Sequence, residues 1–394
     1  MSLHTFLTVS FFIAVFRNAL KTDSAFILDD AFILASGIGM LILVDSMKCQ
    51  RRVIALEEYL GKSIPKFRGN VVTESLSPPQ TELEACGLML KTHLDAVIGE
   101  RHPKTSRQHH DQVRDYIARQ LQDSGWEVRL EAVKGRHGMG HNVIAERRPL
   151  STENRSDIVI VGAHYDTVTG TPGADDNGIA VAGVLALAKI LQNIELKHTV
   201  RLVAWDLEEQ QGWGRSLLGS RTMVRNIKRC GESVLGVICL EMIGSCDHTP
   251  GSQQVVPGLR WVAPSVARQS SDRQDRADFI AAVANPSAQD LLKRFTDAAE
   301  SRELPSIPLV NRGLIRLIKH LRRSDHAPFW DAGIPAIMLT DTANFRSPFY
   351  HSAMDRIETI DFAFAGNVVL STADCIKKTA AIAIAAHGFR IGSK

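Results

Sequence analysis

No CxxC pair occurs in this chain, and its six cysteines (Cys49, Cys86, Cys230, Cys239, Cys246 and Cys375) are scattered. That spacing argues against a thiolate zinc site and supplies no disulfide framework. Cys239 and Cys375 sit in apolar runs and read as core residues, the usual lot of free cysteine. A charge surplus is lacking as well. The 46 Lys and Arg nearly balance the 43 Asp and Glu, for a formal net charge of +3. No Lys/Arg stripe with interleaved aromatics appears, so nucleic acid is not an expected partner. Internal repeats and long low-complexity tracts are also missing.

No apolar run reaches the ~20 residues that span a bilayer. Two shorter ones open the chain, TFLTVSFFIAVF at residues 5–16 and FILASGIGMLILV at residues 32–44. No Lys or Arg precedes the first and no clean small-residue cleavage site follows it, so the signal-peptide pattern is incomplete. Lys48, Arg51 and Arg52 follow the second, as they would on the cytoplasmic flank of an anchor. Two expectations stand side by side. Residues 5–44 export the protein or associate it with a membrane; or they are a poorly ordered or loosely packed extension, or a start placed too early, in which case the true start lies downstream, at Met40 or Met47, and the chain is cytoplasmic. RGNVVTESLSPPQTE at residues 68–82 is polar with a double proline and reads as a linker. The expected division is an apolar extension and linker over residues 1–77 and one main domain over residues 78–394.

What is present is length and apolar content enough for one large α/β domain: 394 residues, 44% of them hydrophobic. From about Glu82 strands and helices alternate. QVRDYIARQLQDSGW carries Val113, Ile117 and Leu121 at helical spacing and stops at Gly125. EVRLEAV and HNVIAER read as strands. DIVIVGAH at residues 157–164 is continuously apolar, as a buried central strand should be. IAVAGVLALAKILQ is a helix apolar nearly all round. TVRLVAWD is a strand, SLLGSRTMVRNIK a helix, SVLGVICLEMIG a strand ending at Glu241, IPAIMLTD another, and residues 361–387 a long final helix. This alternation predicts an α/β fold with a mostly parallel central sheet and helices on both faces. Residues 249–323, rich in Ser, Gln, Arg and Pro, read as an insertion over the active-site edge.

Ligands of such sheets bind beyond the carboxyl ends of the strands. His164, Asp166, Asp176, Glu208, Glu209, Glu241 and His351 all fall at or past those ends. Burying so many acids is costly unless a cation compensates them. Nitrogen and oxygen donors without cysteine suit zinc. One histidine and one carboxylate for each ion, with one shared carboxylate, would hold two ions with little residual charge. Asp175 and Asn177, in a Pro-Gly-x-Asp-Asp-Asn-Gly stretch, read as turn residues. His109 and His110 read as a solvated helix face; His141, His198 and His387 as surface or satisfied core. Trp205 and Trp261 read as packing residues.

GAHYDT…PGADDNG, WDLEEQ, LEMIG, SDHAPFWDAGIPAIMLTDT and YHSAMD, in this order, resemble the two-zinc aminopeptidase family, whose relatives include glutamate carboxypeptidases and glutaminyl cyclases. The likeness runs from about Leu83 to the C-terminus. It implies a zinc-exopeptidase fold and two zinc ions per chain. His164 and Glu241 would bind one ion, Glu209 and His351 the other, and Asp176 would bridge. Asp166 would accept the second ring N–H of His164 and fix its tautomer. Glu208 would be the general base for a metal-bound hydroxide that hydrolyses N-terminal peptide bonds. Glu241 stands where many members carry Asp. Asp325 resembles a position that supports the site, and His326 is not assigned as a ligand. Peptides are the implied substrates. The rival readings are a glutaminyl-peptide cyclotransferase-like enzyme, an amidohydrolase acting on a non-peptide amide, and a non-catalytic binding module of the same fold.

Overall fold

The run IVIVGA at residues 158–163 has no polar side chain because both faces of the sheet it builds are covered. The structure, a computed structural model, describes residues 81–136, 138–149, 157–209 and 216–381. The apolar stretches before residue 45, most of the linker, Trp213 and His387 lie outside the described residues. Eight strands form one sheet: β1 Glu127–Gly135, β2 Gly138–Arg147, β3 Asp157–His164, β4 Thr199–Trp205, β5 Ser233–Glu241, β6 Ile280–Ala284, β7 Ser306–Val310 and β8 Ala336–Thr340. Their order is β1-β2-β4-β3-β5-β8-β6-β7. The centre, β4-β3-β5-β8, is parallel, and so is β6 with β7. β1 with β2, β2 with β4 and β6 with β8 are antiparallel.

Eight helices are labelled: α1 Glu82–Val97, α2 Arg107–Asp123, α3 Ile179–Leu191, α4 Leu218–Cys230, α5 Pro264–Asp272, α6 Gln289–Ser301, α7 His326–Asp331 and α8 Phe362–Ala380. Alternate strand residues feed two cores, as the two-residue side-chain period requires. Val159, Val161, Ile238, Leu240, Ile337 and Leu339 join Leu90, Val184, Phe295 and Val368 on one face, under α1, α3, α6 and α8. Ile158, Ile160, Val237, Cys239, Ala336 and Met338 join Met223, Ile227, Phe329 and Trp330 on the other, under α4 and α7. Helix α3 is buried apart from Lys189 and Ile190, matching its all-round apolar sequence. Cys239 and Cys375 are buried free thiols. Trp205 packs in the core, whereas Trp261 is 89% exposed and packs nothing. Among the described residues, no helix is long and apolar enough to cross a membrane.

Two secondary-structure readings depart from the sequence expectation. The linker reading extends to residue 82, but α1 begins there. The Thr81 hydroxyl accepts the Glu84 N–H at 3.1 Å, and the Glu84 carboxylate accepts the Thr81 N–H at 3.2 Å. This Thr-x-x-Glu capping box ahead of Cys86, Leu90 and Leu94 was a legible helix start. Residues 249–323 are not solely an insertion over the edge. β6 and β7 extend the sheet, and Ile280 and Ala282 are core residues. IAAVA is short and carries three alanines, with little β preference of its own. Its pairing with β8 makes it a strand.

The sheet positions the chemistry. In register, His164 at the end of β3 lies beside Trp205 at the end of β4. Glu241 at the end of β5 lies beside Thr340 of β8. Their loops therefore leave from one edge. Gly162 keeps β3 and β4 this close. A Cβ there would stand 2.7 Å from the Val203 carbonyl oxygen and 2.8 Å from the Trp205 ring. Gly162→Ala is expected to cost ~1–3 kcal/mol as an overpacked core substitution. A lower urea midpoint is the readout; an unchanged midpoint would mean that the neighbours yield freely.

Candidate metal centre

Loops leaving that edge bring the predicted residues together. His164 ends β3; Asp176 lies in the segment leading into α3; Glu208 and Glu209 follow β4; Glu241 ends β5; His351 lies between β8 and α8. Leu207 (φ 59°), Met242 (φ 50°) and His351 (φ 54°) adopt left-handed backbone without being glycine. Each is itself a predicted ligand or flanks an acid of the cluster. Such conformations persist only where surrounding structure dictates them, and they gather at functional sites.

His164 Nε2 lies 3.3 Å from Asp176 Oδ1 and 3.6 Å from Glu241 Oε2. His351 Nε2 lies 3.1 Å from Asp176 Oδ2 and 3.3 Å from Glu209 Oε1. Asp176 thus turns one carboxylate oxygen toward each histidine. His164, Asp176 and Glu241 form one possible ligand set, and Asp176, Glu209 and His351 another, with donor atoms within 4.8 Å of one another in each. Glu208 groups with His164 and Glu209 on the same criterion. His164 is buried, yet its Nε2 has no hydrogen-bond partner. A buried ring nitrogen aimed at two carboxylates without a hydrogen bond fits a metal ligand.

Without a cation the cluster must hold protons. Burial opposes charging His164, but Glu241 and Glu208, then Asp166 and Asp176, hold its pKa well above the usual imidazole value. Burial likewise opposes a charge on His351, yet Asp176 and Glu209 raise its pKa to about 10. Burial pushes Glu208 well above the carboxylate range, helped by Glu209 and Glu241 against the pull of His164. Burial and Asp176 lift Glu209 to about 7. Asp176, despite its burial, is held far below the usual range by both histidines.

Second-layer contacts explain the geometry and amend one expectation. The Asp166 carboxylate lies 3.7 Å from His164 Nδ1, too long for a hydrogen bond. The His164 Nδ1–H donates instead to the Asp166 backbone carbonyl at 3.1 Å. The Asp166 carboxylate accepts the N–H groups of Glu208 at 2.9 Å and Glu209 at 3.1 Å. Asp166 therefore fixes the tautomer through its backbone and the acid pair through its side chain. Asn177 is more than a turn residue. Its side chain accepts from Met242 N at 3.0 Å and donates to the Leu240 carbonyl at 3.0 Å, tying the Asp176 segment to β5. Asp175 is buried and accepts the Gly244 N–H at 2.9 Å. Asp325 is buried beside the cluster, and burial raises its pKa to about 7. His326 turns away, its Nε2 bonded to the Leu321 carbonyl at 2.8 Å.

Several supporting residues escaped the sequence reading. His110 is not on a solvated face: it is buried, and its Nε2 meets Asp206 Oδ1 at 2.8 Å. The same carboxylate accepts from Tyr165 Oη at 2.7 Å, His141 N at 2.7 Å and Leu207 N at 2.9 Å, which holds the turn into Glu208. Asp355 accepts the N–H groups of Asp175 and Asp176. Arg101, completely buried, donates to the carbonyls of Tyr165, Pro172 and Gly173 and so anchors the loop before Asp176. His110 falls three residues before Val113 on the buried stripe of α2, a helical-period signal for burial that the HH pair obscured. Arg101, in an RHP sequence, carries no periodic or motif signal. Only long-range packing identifies their partners.

A cavity of about 410 Å³ adjoins the cluster. Asp176, Glu208, Glu209, Glu241 and His351 line its floor, and Val255, Leu259, Phe279, Leu309 and Met338 are among its apolar wall residues. Metal ligation requires neutral imidazole and ionised carboxylate. His351, near 10, and Glu209, near 7, retain protons at neutral pH in the metal-free protein. Zinc binding at pH 7 is therefore expected to release protons, and affinity should fall as pH drops from 8 to 6. Calorimetry in two buffers of different ionisation enthalpy measures this; binding without proton release would contradict the protonated cluster.

Comparison with known proteins assigns this arrangement to a family. The pattern of peptidase family M28 matches residues 142–374. YfbL, an uncharacterized protein of Escherichia coli (strain K12), is 33% identical over 264 residues, covering 65% of this chain and 76% of that one. Aminopeptidase YwaD of Bacillus subtilis (strain 168) is 25% identical over 228 residues, 56% of this chain; the chain spans only 40% of that relative's length. Among solved structures, Porphyromonas gingivalis glutaminyl cyclase superposes with a TM-score of 0.54 at 19% identity, over 75% of this chain and 98% of that one. At that identity the likeness shows the fold alone. The family match spans more than half of the 394 residues and contains His164, Asp176, Glu208, Glu209, Glu241 and His351, and the chain belongs to peptidase family M28.

Proposed function

We propose that this protein is an aminopeptidase with two zinc ions, which removes N-terminal residues from peptides. The observation that carries the reading is the pair of ligand sets that share Asp176: His164 and Glu241 on one side, Glu209 and His351 on the other. The donors fit zinc, being nitrogen and carboxylate oxygen without thiolate. The orphaned Nε2 of His164 fits the same conclusion. When bound, the metal pair supplies a Lewis acid for the scissile carbonyl and makes water acidic enough to react near neutral pH.

The chain's own residues do the rest. Asp166 presents Glu208 and Glu209 through their backbone N–H groups, so that adjacent residues serve different tasks. Glu209 faces His351 and Asp176. Glu208, close to His164, takes the proton of the attacking water and delivers it to the leaving amine. Burial raises the proton affinity of the Glu208 carboxylate. The apolar wall excludes water and suits an apolar side chain on the residue released.

The fold does not separate a peptidase from a glutaminyl cyclase, since the fold is common to both. The ligand inventory does favour one. A cyclase takes the substrate's own amine as nucleophile and needs a single Lewis acid, whereas hydrolysis by water between two metals uses both ligand sets. Both are retained here.

Elemental analysis of the purified protein is expected to find about two zinc ions per chain. Glu208→Gln should keep zinc and lose ~10²-fold or more in turnover, whereas Glu209→Gln should weaken zinc binding. Near-normal turnover in Glu208→Gln would remove Glu208 from its role as base. Mass spectrometry of a peptide beginning with glutamine decides between the two enzymes. Loss of the whole first residue is expected, with N-acetylated peptides resistant. Loss of ammonia from a full-length peptide would overturn the aminopeptidase reading.

A further inference from the structure

The mouth of the cavity carries His320, Arg322 and Arg323. Two of these are accounted for. Arg322 is paired with Asp331. His320 packs edge-on against Phe345, with ring centroids 5.2 Å apart. Arg323 differs. Its Nη1 donates to Asn344 Oδ1 at 3.0 Å and its Nη2 to Tyr350 Oη at 2.6 Å. Its guanidinium carbon stands 5.5 Å from the Tyr350 ring centroid. These partners are uncharged, and among the described residues no carboxylate pairs with Arg323.

Its position bears on the chemistry. The next residue, Ser324, donates to Glu241 Oε2 at 2.5 Å. Tyr350 stacks on His351 with ring centroids 3.8 Å apart and planes at 19°. The guanidinium is thus bracketed by neighbours of one ligand from each half of the metal centre. A lone exposed arginine is ordinary. This one is oriented by uncharged acceptors and borders the cavity beside the reacting groups. Its planar fork matches a carboxylate, with which it can form charge-assisted hydrogen bonds.

We infer that Arg323, oriented by Tyr350 and Asn344, docks a carboxylate of a short peptide substrate. The inference rests on the peptidase reading and narrows it. An extended residue spans ~3.3–3.6 Å. The steps of 3.8 Å from His351 to Tyr350 and 5.5 Å from Tyr350 to Arg323 therefore place the guanidinium no farther than two or three extended residues from the His351 ring. The carboxylate is the free C-terminus of a di- or tripeptide, or an acidic side chain just after the scissile bond.

The test uses the zinc-loaded full chain and peptide analogues with a reduced, uncleavable first peptide bond, so binding is read apart from turnover. Four dipeptide analogues share an apolar first residue: one with a C-terminal carboxylate, its C-terminal amide, and a pair of amides with Glu or Gln second. Calorimetry is expected to find a charged form bound ~10-fold or more tightly than its uncharged counterpart, the scale of a hydrogen bond to a charged group. The acid-to-amide ratio reports a C-terminal source, and the Glu-to-Gln ratio a side-chain source. Arg323→Met should bring the operative ratio close to one, Arg323→Lys should restore part of it, and Arg322→Gln should leave it as in the wild type. Ratios near one in the wild type would overturn the inference. So would an Arg323→Met loss that falls equally on charged and uncharged forms, because that reports only a loosened Tyr350 loop. Selective binding of the charged form without release of any N-terminal residue would instead count against the aminopeptidase reading and leave the inference standing.

Discussion

Carboxylates crowded out of water repel one another and lose their hydration, and the site is organised around that cost. Asp166, Asp176, Glu208 and Glu209 are buried, with Glu241 only partly exposed, at one edge of the sheet. Histidines alone can offset them only by carrying protons, as the raised pKa values of His164 and His351 indicate. Divalent cations would offset them better, and both histidines turn Nε2 toward the acids with which they could share an ion. Each metal-facing acid has a structural reason for its position. Parallel strands carry His164 and Glu241 to the edge, and the Asp166 side chain fixes the backbone of the acid pair.

The backbone around the cluster carries strain of ~1–3 kcal/mol for each left-handed residue that is not glycine. Leu207, Met242 and His351 are three of these. Buried hydrogen bonds hold two of the corners: Asp206 accepts Leu207 N, and Asn177 accepts Met242 N. Arg101 and Asp355 do the same for the loop carrying Asp176. A ring of buried polar groups thus stiffens the donors, which lets a short loop present ligands in a fixed geometry.

Beyond the metal centre the cavity is divided by chemistry. Its apolar wall comes from β6, β7, β8 and the segment around α5, and its cationic rim from residues 320–323. Apart from β8, the wall belongs to residues 249–323, which read as an insertion, yet β6 and β7 of that stretch are sheet. Catalytic and selective elements therefore share one framework.

Much of this was legible in the amino-acid sequence. Strands such as 157–164 and 233–241 are marked by apolar runs that end in acid or histidine, and that ending gave the position of the metal-binding edge. The ligands and the acid pair follow from the order of their motifs. The Thr81 capping box was equally legible, because a cap is a local hydrogen-bond pattern. Other features had no local signal. IAAVA became a strand through its pairing with β8. The pairing of His110 with Asp206 spans 96 residues of sequence. Asp166 exchanged a side-chain contact with His164 for one with the backbone of the acid pair, a choice between two neighbours less than 4 Å away. Sequence periodicity marked the sheet and its functional edge, and donor chemistry with the order of the family-like motifs marked the candidate ligands. Tertiary structure alone decided which buried groups hold those ligands still, because such contacts join residues far apart in the chain and leave no period or motif behind.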